Sequence, residues 1–201
     1  TEQYVSEALT ALKSQMERHF TYGTISSVRH AIAKEPARAD EFLKGFEDYV
    51  RAALEIAEHP ETTLQQELNE LKNYIQFEKL FPYNHFEYRF NIDSRLNAAE
   101  LKVPSLILQP LVENAIKHGF TDIEYQGYLD ISVERHGNML QCSVRDNGRG
   151  RRMDKVTREP GRTSKGTKIT QRRIQLNNQI KNKQARFEIN DLPQGVEVVL
   201  T

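Results

Sequence analysis

Between Leu106 and Phe120 the chain reads LILQPLVENAIKHGF, and at ~100° per residue the pattern has two faces of opposite character. Ile107, Leu108, Leu111, Val112 and Ala115 fall in one apolar arc, and Glu113, Asn114 and Lys117 fall in the other. The spacing predicts a helix over 106–120 that gives one face to a core. Asn114 and Lys117 are i,i+3 neighbours and His118 is i,i+4 from Asn114, so three polar side chains can converge on one object. An amide oxygen beside an ammonium suits a metal-bound phosphate. Periodicity alone describes an ordinary amphipathic helix with a solvated polar face.

The same periods organise the rest of the chain. From Glu2 to about Ala33, Val5, Leu9, Leu12 and Met16 recur at helical spacing, and its continuation reaches His19. Beyond Gly23 the pattern shifts phase to Ile25, Val28 and Ile32. Pro36 suits the first turn of a second helix that carries Phe42, Leu43, Phe46, Tyr49, Val50 and Leu54 to about Glu58. Such a hairpin buries little by itself, so pairing with a second copy into a four-helix bundle is expected. His59-Pro60 ends that helix, and Thr63 with Gln66 three residues on resembles a capping box that opens a third helix, running to about Phe81. Phe86, Tyr88 and Phe90 then alternate with polar residues, as a strand does. Residues 128–134 and 139–145 form one hairpin pattern across His136-Gly137-Asn138, and 186–190 and 196–200 form a second across Pro193-Gln194-Gly195. Between the hairpins, 149–168 reads as a long loop and 169–180 as a helix. The fold class expected is α+β. A helical region, 1–81, precedes an α/β sandwich, 82–201, with helices on one face of a mixed, mainly antiparallel sheet.

With 38% apolar residues in 201, the chain can build a real core. The single cysteine, Cys142, excludes an intrachain disulfide and fits a reducing compartment. No stretch approaches the ~20 apolar residues of a membrane span. The chain opens on Thr inside a helical pattern, which suggests an excised fragment. Zero net charge conceals an asymmetry: residues 1–80 hold 14 acids and 9 bases, whereas 145–186 hold 14 bases and 3 acids. That basic block favours an anion, either a nucleotide triphosphate or a nucleic acid.

Asp146-Asn147-Gly148-Arg149-Gly150 follows a strand directly. Asn-Gly is a favoured tight turn, yet a basic, glycine-containing loop follows where a returning strand should be. Asp146 at a strand end can accept a hydrogen bond from an exocyclic amino group such as that of adenine, and Gly148 and Gly150 permit close backbone approach. Lys165-Gly166-Thr167-Lys168 at a helix start can offer backbone N–H groups to phosphates. It is not a Walker A loop, because the leading glycine and its spacing are missing.

Read in order, Glu113-Asn114-Ala115-Ile116-Lys117-His118-Gly119, Asp146-Asn147-Gly148-Arg149-Gly150 and Ser164-Lys165-Gly166-Thr167-Lys168-Ile169-Thr170 resemble the N box and two glycine boxes of the ATPase domain shared by gyrase, heat-shock chaperones and histidine kinases. The lead-in Pro104 to Val112 resembles the LytS-like branch of sensor histidine kinases. Leu12-Lys13-Ser14-Gln15 with His19-Phe20 is similar to that branch's phosphoacceptor helix. The resemblance spans nearly the whole chain. It implies that Asn114 helps hold Mg²⁺ on ATP, with Glu113 beside it as a catalytic residue and Lys117 and His118 near the nucleotide. It further implies that Asp146 reads adenine, that Gly148, Gly150, Gly166 and Thr167 frame the phosphates and a lid, and that His19 receives the γ-phosphoryl group. The implied partners are a response regulator and a second copy of the chain through the N-terminal helices. No nucleic acid is implied. The implied location is the cytoplasm, with membrane attachment only through a segment upstream.

Four departures bear on activity. Glu17-Arg18 stands where the family has Asn-Pro before its histidine, and Thr21-Tyr22-Gly23 where it has Leu-Phe-Asn. Ser164 and Lys168 replace glycines of the second box, and Val196 follows Gly195 where threonine is common. They keep open a rival reading, a degenerate kinase that binds nucleotide or a partner without phosphorylating itself. A nucleic-acid binder using the basic block is a third, and it predicts steeply salt-dependent binding that ATP leaves unchanged.

Overall fold

The computed structural model describes residues 36–81, 84–151, 170–172, 174, 175, 178 and 184–201. These fall into two compact units. One comprises the described residues of Thr1–Tyr83 together with Lys102–Leu106, and the other Asn84–Leu101 with those of Ile107–Thr201.

In the first unit, helix α1 (Pro36–Ala57) starts at its proline, and helix α2 (Leu64–Lys79) starts at Thr63. Thr63 accepts from the backbone N–H of Gln66 while the Gln66 side chain accepts from Thr63, the reciprocal capping expected from the sequence. Ala39, Phe42, Tyr49, Ala53 and Ile56 form the buried stripe of α1 and Leu64, Leu68, Leu71, Tyr74, Ile75 and Phe77 that of α2. The two stripes meet through aromatic pairs: Phe42–Phe81 edge-on at 5.3 Å and Tyr49–Phe77 stacked at 6.0 Å. Such pairs each add about 0.5–1.5 kcal/mol beyond area burial. Gly45 allows the close approach, since a Cβ there would lie 3.0 Å from the Leu80 side chain.

A pairing that periodicity did not foretell ties the segment before the Asn114 helix to this unit. Strand β1 (Glu61–Thr63) pairs antiparallel with β3 (Lys102–Pro104), with Thr62 opposite Val103. Three-residue strands carry too little alternation to be read from sequence. Leu106 then adopts φ +54, a left-handed conformation that costs a branched residue about 1–2 kcal/mol. Its backbone N–H donates to the buried Glu67 carboxylate at 2.7 Å, which holds it there.

The second unit is a five-stranded sheet in the order β2-β4-β5-β7-β6, from β2 (Phe86–Ile92), β4 (Gly127–His136), β5 (Met139–Asp146), β6 (Phe187–Asp191) and β7 (Val196–Leu200). Only β2 and β4 run parallel. The inner face buries Phe86, Leu129, Ile131, Val133, Cys142, Val144 and Leu200. On the outer face Arg89, Asp130, Arg145, Glu197 and Asn190 are cross-strand neighbours in one row over all five strands. Its charges alternate in sign, a pattern that stabilises neighbours and suits water. Helix α3 (Gln109–Asn114) and the helical residues around Ile174 supply further buried residues on the helical side. The expected α+β class, with a mixed and mainly antiparallel sheet, is what the chain forms. Among the described residues no helix is long and apolar enough to cross a membrane.

Candidate functional site

The helix predicted over 106–120 forms in two parts. Its α-helical part is only Gln109–Asn114, with Pro110 in the first turn, and Ala115–Gly119 is a π-helical turn. The apolar arc is as expected: Ile107, Leu108, Leu111, Val112 and Ala115 are buried. Glu113, Asn114 and Lys117 are half-buried and His118 is exposed. The wider turn changes how the polar side chains meet. Lys117 pairs with Glu113 one turn back, in a partly buried ion pair. The carbonyls at the end of the turn are taken by donors from elsewhere. Thr121 Oγ1 donates to Lys117 O at 2.6 Å, while Arg149 donates through Nε to His118 O and through its backbone N–H to Gly119 O, both at 3.0 Å. Single π-helical turns within α-helices recur at functional sites.

Asp146 ends β5 directly beneath this turn. The residue is 6% exposed, and its carboxylate accepts from the backbone N–H groups of Gly148, at 2.8 Å, and Val196. Three glycines make the approach possible. A Cβ on Gly119 would lie 3.0 Å from Asp146 Oδ1, one on Gly148 would lie 2.3 Å from Gly119 O, and one on Gly195 would lie 1.9 Å from Asp146 O. Asn147 extends the strand pairing past its end: its Oδ1 accepts from Tyr128 N–H at 2.6 Å and its Nδ2 donates to Gln126 O at 3.0 Å. Gly150 takes φ +70 as the loop turns away.

The structure therefore brings together, in one place, the end of the Asn114 helix and the Asp146–Gly150 loop. Of the residues singled out from sequence, His19, Gly166 and Thr167 lie outside the described residues. Asn147, Arg149, Gly119 and Gly195 carry roles that sequence reasoning did not assign. Gly119 and Arg149 stood inside the motifs already singled out, but nothing local reveals that one approaches the other.

Burial pushes the Asp146 carboxyl up to about 6, the two backbone donors offsetting part of that shift. A raised carboxyl favours the protonated native state, so this group's contribution to stability is present at low pH and falls as pH rises from about 4 to about 6. An amino-group donor bonds more strongly to the ionised carboxylate than to the protonated carboxyl. Affinity for an adenine-bearing ligand is therefore expected to fall as pH drops through about 6. Because phosphates titrate nearby, the check is adenosine binding from pH 5 to 8. A flat profile would contradict the assignment, and in Asp146→Asn the pH dependence should vanish.

As for a metal, the described residues contain no group of three or more His, Cys, Asp or Glu arranged to hold an ion. Glu113 and Asn114 are adjacent oxygen donors on one helical turn. Such a sparse set fits Mg²⁺, which commonly takes one or two protein oxygens plus substrate phosphates and water.

A family model described as Histidine kinase matches residues 7–85, and one described as Histidine kinase-, DNA gyrase B-, and HSP90-like ATPase matches residues 101–199. The chain belongs to the LytS-like sensor histidine kinases. It is 32% identical over 142 residues to the sensor histidine kinase YpdA of Escherichia coli, covering 71% of this chain and 25% of that protein. It is 29% identical over 148 residues to the sensor protein LytS of Staphylococcus epidermidis, covering 74% of this chain and 25% of the relative. A sensor histidine kinase/phosphatase LytS of Staphylococcus aureus is 28% identical over 149 residues, with 74% and 25% covered. The chain thus spans about a quarter of the length of these curated relatives. Its fold is similar to the histidine kinase domain of a blue-light activated histidine kinase of Erythrobacter litoralis, with TM-score 0.53 at 15% identity, covering 100% of this chain and 93% of that one. A bacterial phosphotransferase is also similar in fold, with TM-score 0.52 at 11% identity, covering 100% and 97%.

Proposed function

We propose that this chain is the cytoplasmic phosphoryl-transfer portion of a sensor histidine kinase: it binds Mg-ATP, phosphorylates His19 and passes the phosphoryl group to an aspartate of a response regulator. The observation that carries the reading is the buried Asp146 carboxylate at a strand end, closed in by Gly119, Gly148 and Gly195 under the helix that bears Asn114. In this reading residues 1–81 are the phosphoacceptor and dimerisation region, and 82–201 the nucleotide-binding domain. Asp146 accepts from the exocyclic amino group of adenine, and Gly148 and Gly150 let the backbone approach the nucleotide. Asn114 would help hold Mg²⁺, which would neutralise phosphate charge, with Glu113 beside it as a catalytic residue. Lys117, tethered by Glu113, and His118 add positive charge and a polar side chain on the same turn, with Gly166 and Thr167 on the phosphate side.

Phosphoryl transfer asks mainly for in-line positioning and charge neutralisation. A neutral imidazole nitrogen of His19 attacks the γ-phosphorus as the bond to the bridging oxygen breaks, so that ADP leaves and a phosphoramidate remains. The regulator's carboxylate then displaces the imidazole and forms an acyl phosphate. A homodimer through the N-terminal helices brings two such histidines and two ATP sites into one assembly.

Glu17-Arg18 before His19 and Lys168 in the second glycine box favour one rival: a degenerate kinase that binds nucleotide or a partner without self-phosphorylation. Incubation with γ-labelled ATP separates them. Acid-labile, alkali-stable label that disappears in His19→Ala is expected. ATP binding without any label would sink the kinase reading and leave the rival.

A further inference from the structure

The hexapeptide from Asp146 to Arg151 is fastened at both ends to the same turn of another hairpin. At its start, the Asp146 carboxylate accepts from the Val196 N–H. At its end, the Arg151 guanidinium grips the Asp191 carboxylate with both prongs, Nε to Oδ1 at 2.7 Å and a terminal nitrogen to Oδ2 at 2.9 Å. Asp191 and Val196 are themselves cross-strand partners, the last pair of the β6–β7 ladder before its turn. That turn is closed by Leu192 N–H donating to Gly195 O at 3.2 Å. Between the two fastenings, a Cβ on Gly150 would lie 3.5 Å from Gly195 O, so the two backbones run side by side. The result is a closed ring: Asp146 through Arg151, across to Asp191, over to Val196, and back to Asp146.

We propose that the Arg151–Asp191 pair is a clip that positions Val196 and Gly195 against Asp146, and that it thereby sets how strongly this chain prefers adenine to other bases. The proposal rests on the ATP reading above. The segment it closes holds two glycines, each with wide conformational freedom that the loop must lose to present Asp146 in one orientation. A bidentate guanidinium–carboxylate pair fixes direction as well as distance. Both side chains remain partly exposed, 46% for Arg151 and 32% for Asp191, so the pair contributes little to global stability. Its effect is local. Arg151 acts through Asp191 and Val196 as a positioning residue, at the base end of the nucleotide rather than the phosphate end.

The test uses the full chain and compares Arg151→Gln, Arg151→Lys and Asp191→Asn with the wild type. Dissociation constants are measured for ATP, adenosine and GTP, together with hydrogen exchange at the Val196 amide. Arg151→Gln and Asp191→Asn are expected to weaken ATP and adenosine by the same factor, about three- to tenfold, and to shrink the ATP-over-GTP preference by a similar factor. The melting temperature should move by no more than about 2 °C, and the Val196 amide should exchange faster. Arg151→Lys keeps the charge but not the fork, and is expected to recover less than half of the loss. Weakened ATP with unchanged adenosine would place Arg151 on the phosphates and overturn the clip. An unchanged base preference with an unchanged Val196 exchange rate would overturn it as well, leaving the ATP reading intact. A wild-type chain that binds none of the three ligands would overturn both.

Discussion

Asn114→Ala is expected to abolish Mg-ATP binding and leave the fold intact. Asn114 is half-buried at the last α-helical position, with its apolar neighbours Leu111, Val112 and Ala115 all turned to the core. In the proposed site the truncation removes an oxygen ligand while leaving those buried neighbours in place. Around protein-bound metal ions even outer-shell partners cost roughly 10–100-fold in affinity or activity when lost, so a direct ligand in so sparse a set should cost more. Calorimetric titration with Mg-ATP, beside a melting curve, reads both halves of the statement. Unchanged nucleotide affinity would remove Asn114 from the site, and a collapsed melting transition would make it structural.

The second large effect is expected at Gly195. Alanine there must adopt φ +85, and its Cβ would lie 1.9 Å from Asp146 O and 2.8 Å from Asn147 Cα. These are backbone atoms and cannot rotate away. The β6–β7 turn would have to withdraw from Asp146, taking the Val196 N–H with it. A loss of about 3 kcal/mol or more of stability is expected, the sum of a left-handed alanine and a displaced hairpin. Gly137→Ala is the matched comparison: φ is +62 but nothing lies within 4 Å of the added methyl. Backbone strain alone should cost it about 1 kcal/mol. Denaturant melts of the two variants test the contrast, and equal losses would show that φ, not the contact with Asp146, governs Gly195.

The Arg149 bonds to His118 O and Gly119 O satisfy the open carbonyls at the end of the π-helical turn. In a continuing α-helix these carbonyls would accept from residues four positions on. Here donors from the Asp146 loop satisfy them where the helix ends. Thirty-one residues separate Arg149 from His118, so no window on the helix itself could have predicted it. On this turn Lys117 also pairs with Glu113.

What could be read from the amino-acid order is what acts over a few residues. The capping of α2 by Thr63 and Gln66, the buried arc from Ile107 to Ala115, and both hairpins follow from short-range hydrogen bonding and from periods of 3.6 and 2. The three motifs resembling the ATPase boxes were legible for a related reason, since each is a contiguous string. Pairing between distant segments leaves no such mark. The β1–β3 pair that draws Lys102–Leu106 into the first unit, the parallel β2–β4 neighbours and the ring from Arg151 to Val196 arise from contacts formed only when the chain closes on itself. The ionisation of Asp146 belongs to the same class. Its type and place at a strand end were plain in the sequence, but it is burial that pushes its carboxyl up to about 6. Desolvation is a property of the surrounding volume and not of the neighbours along the chain.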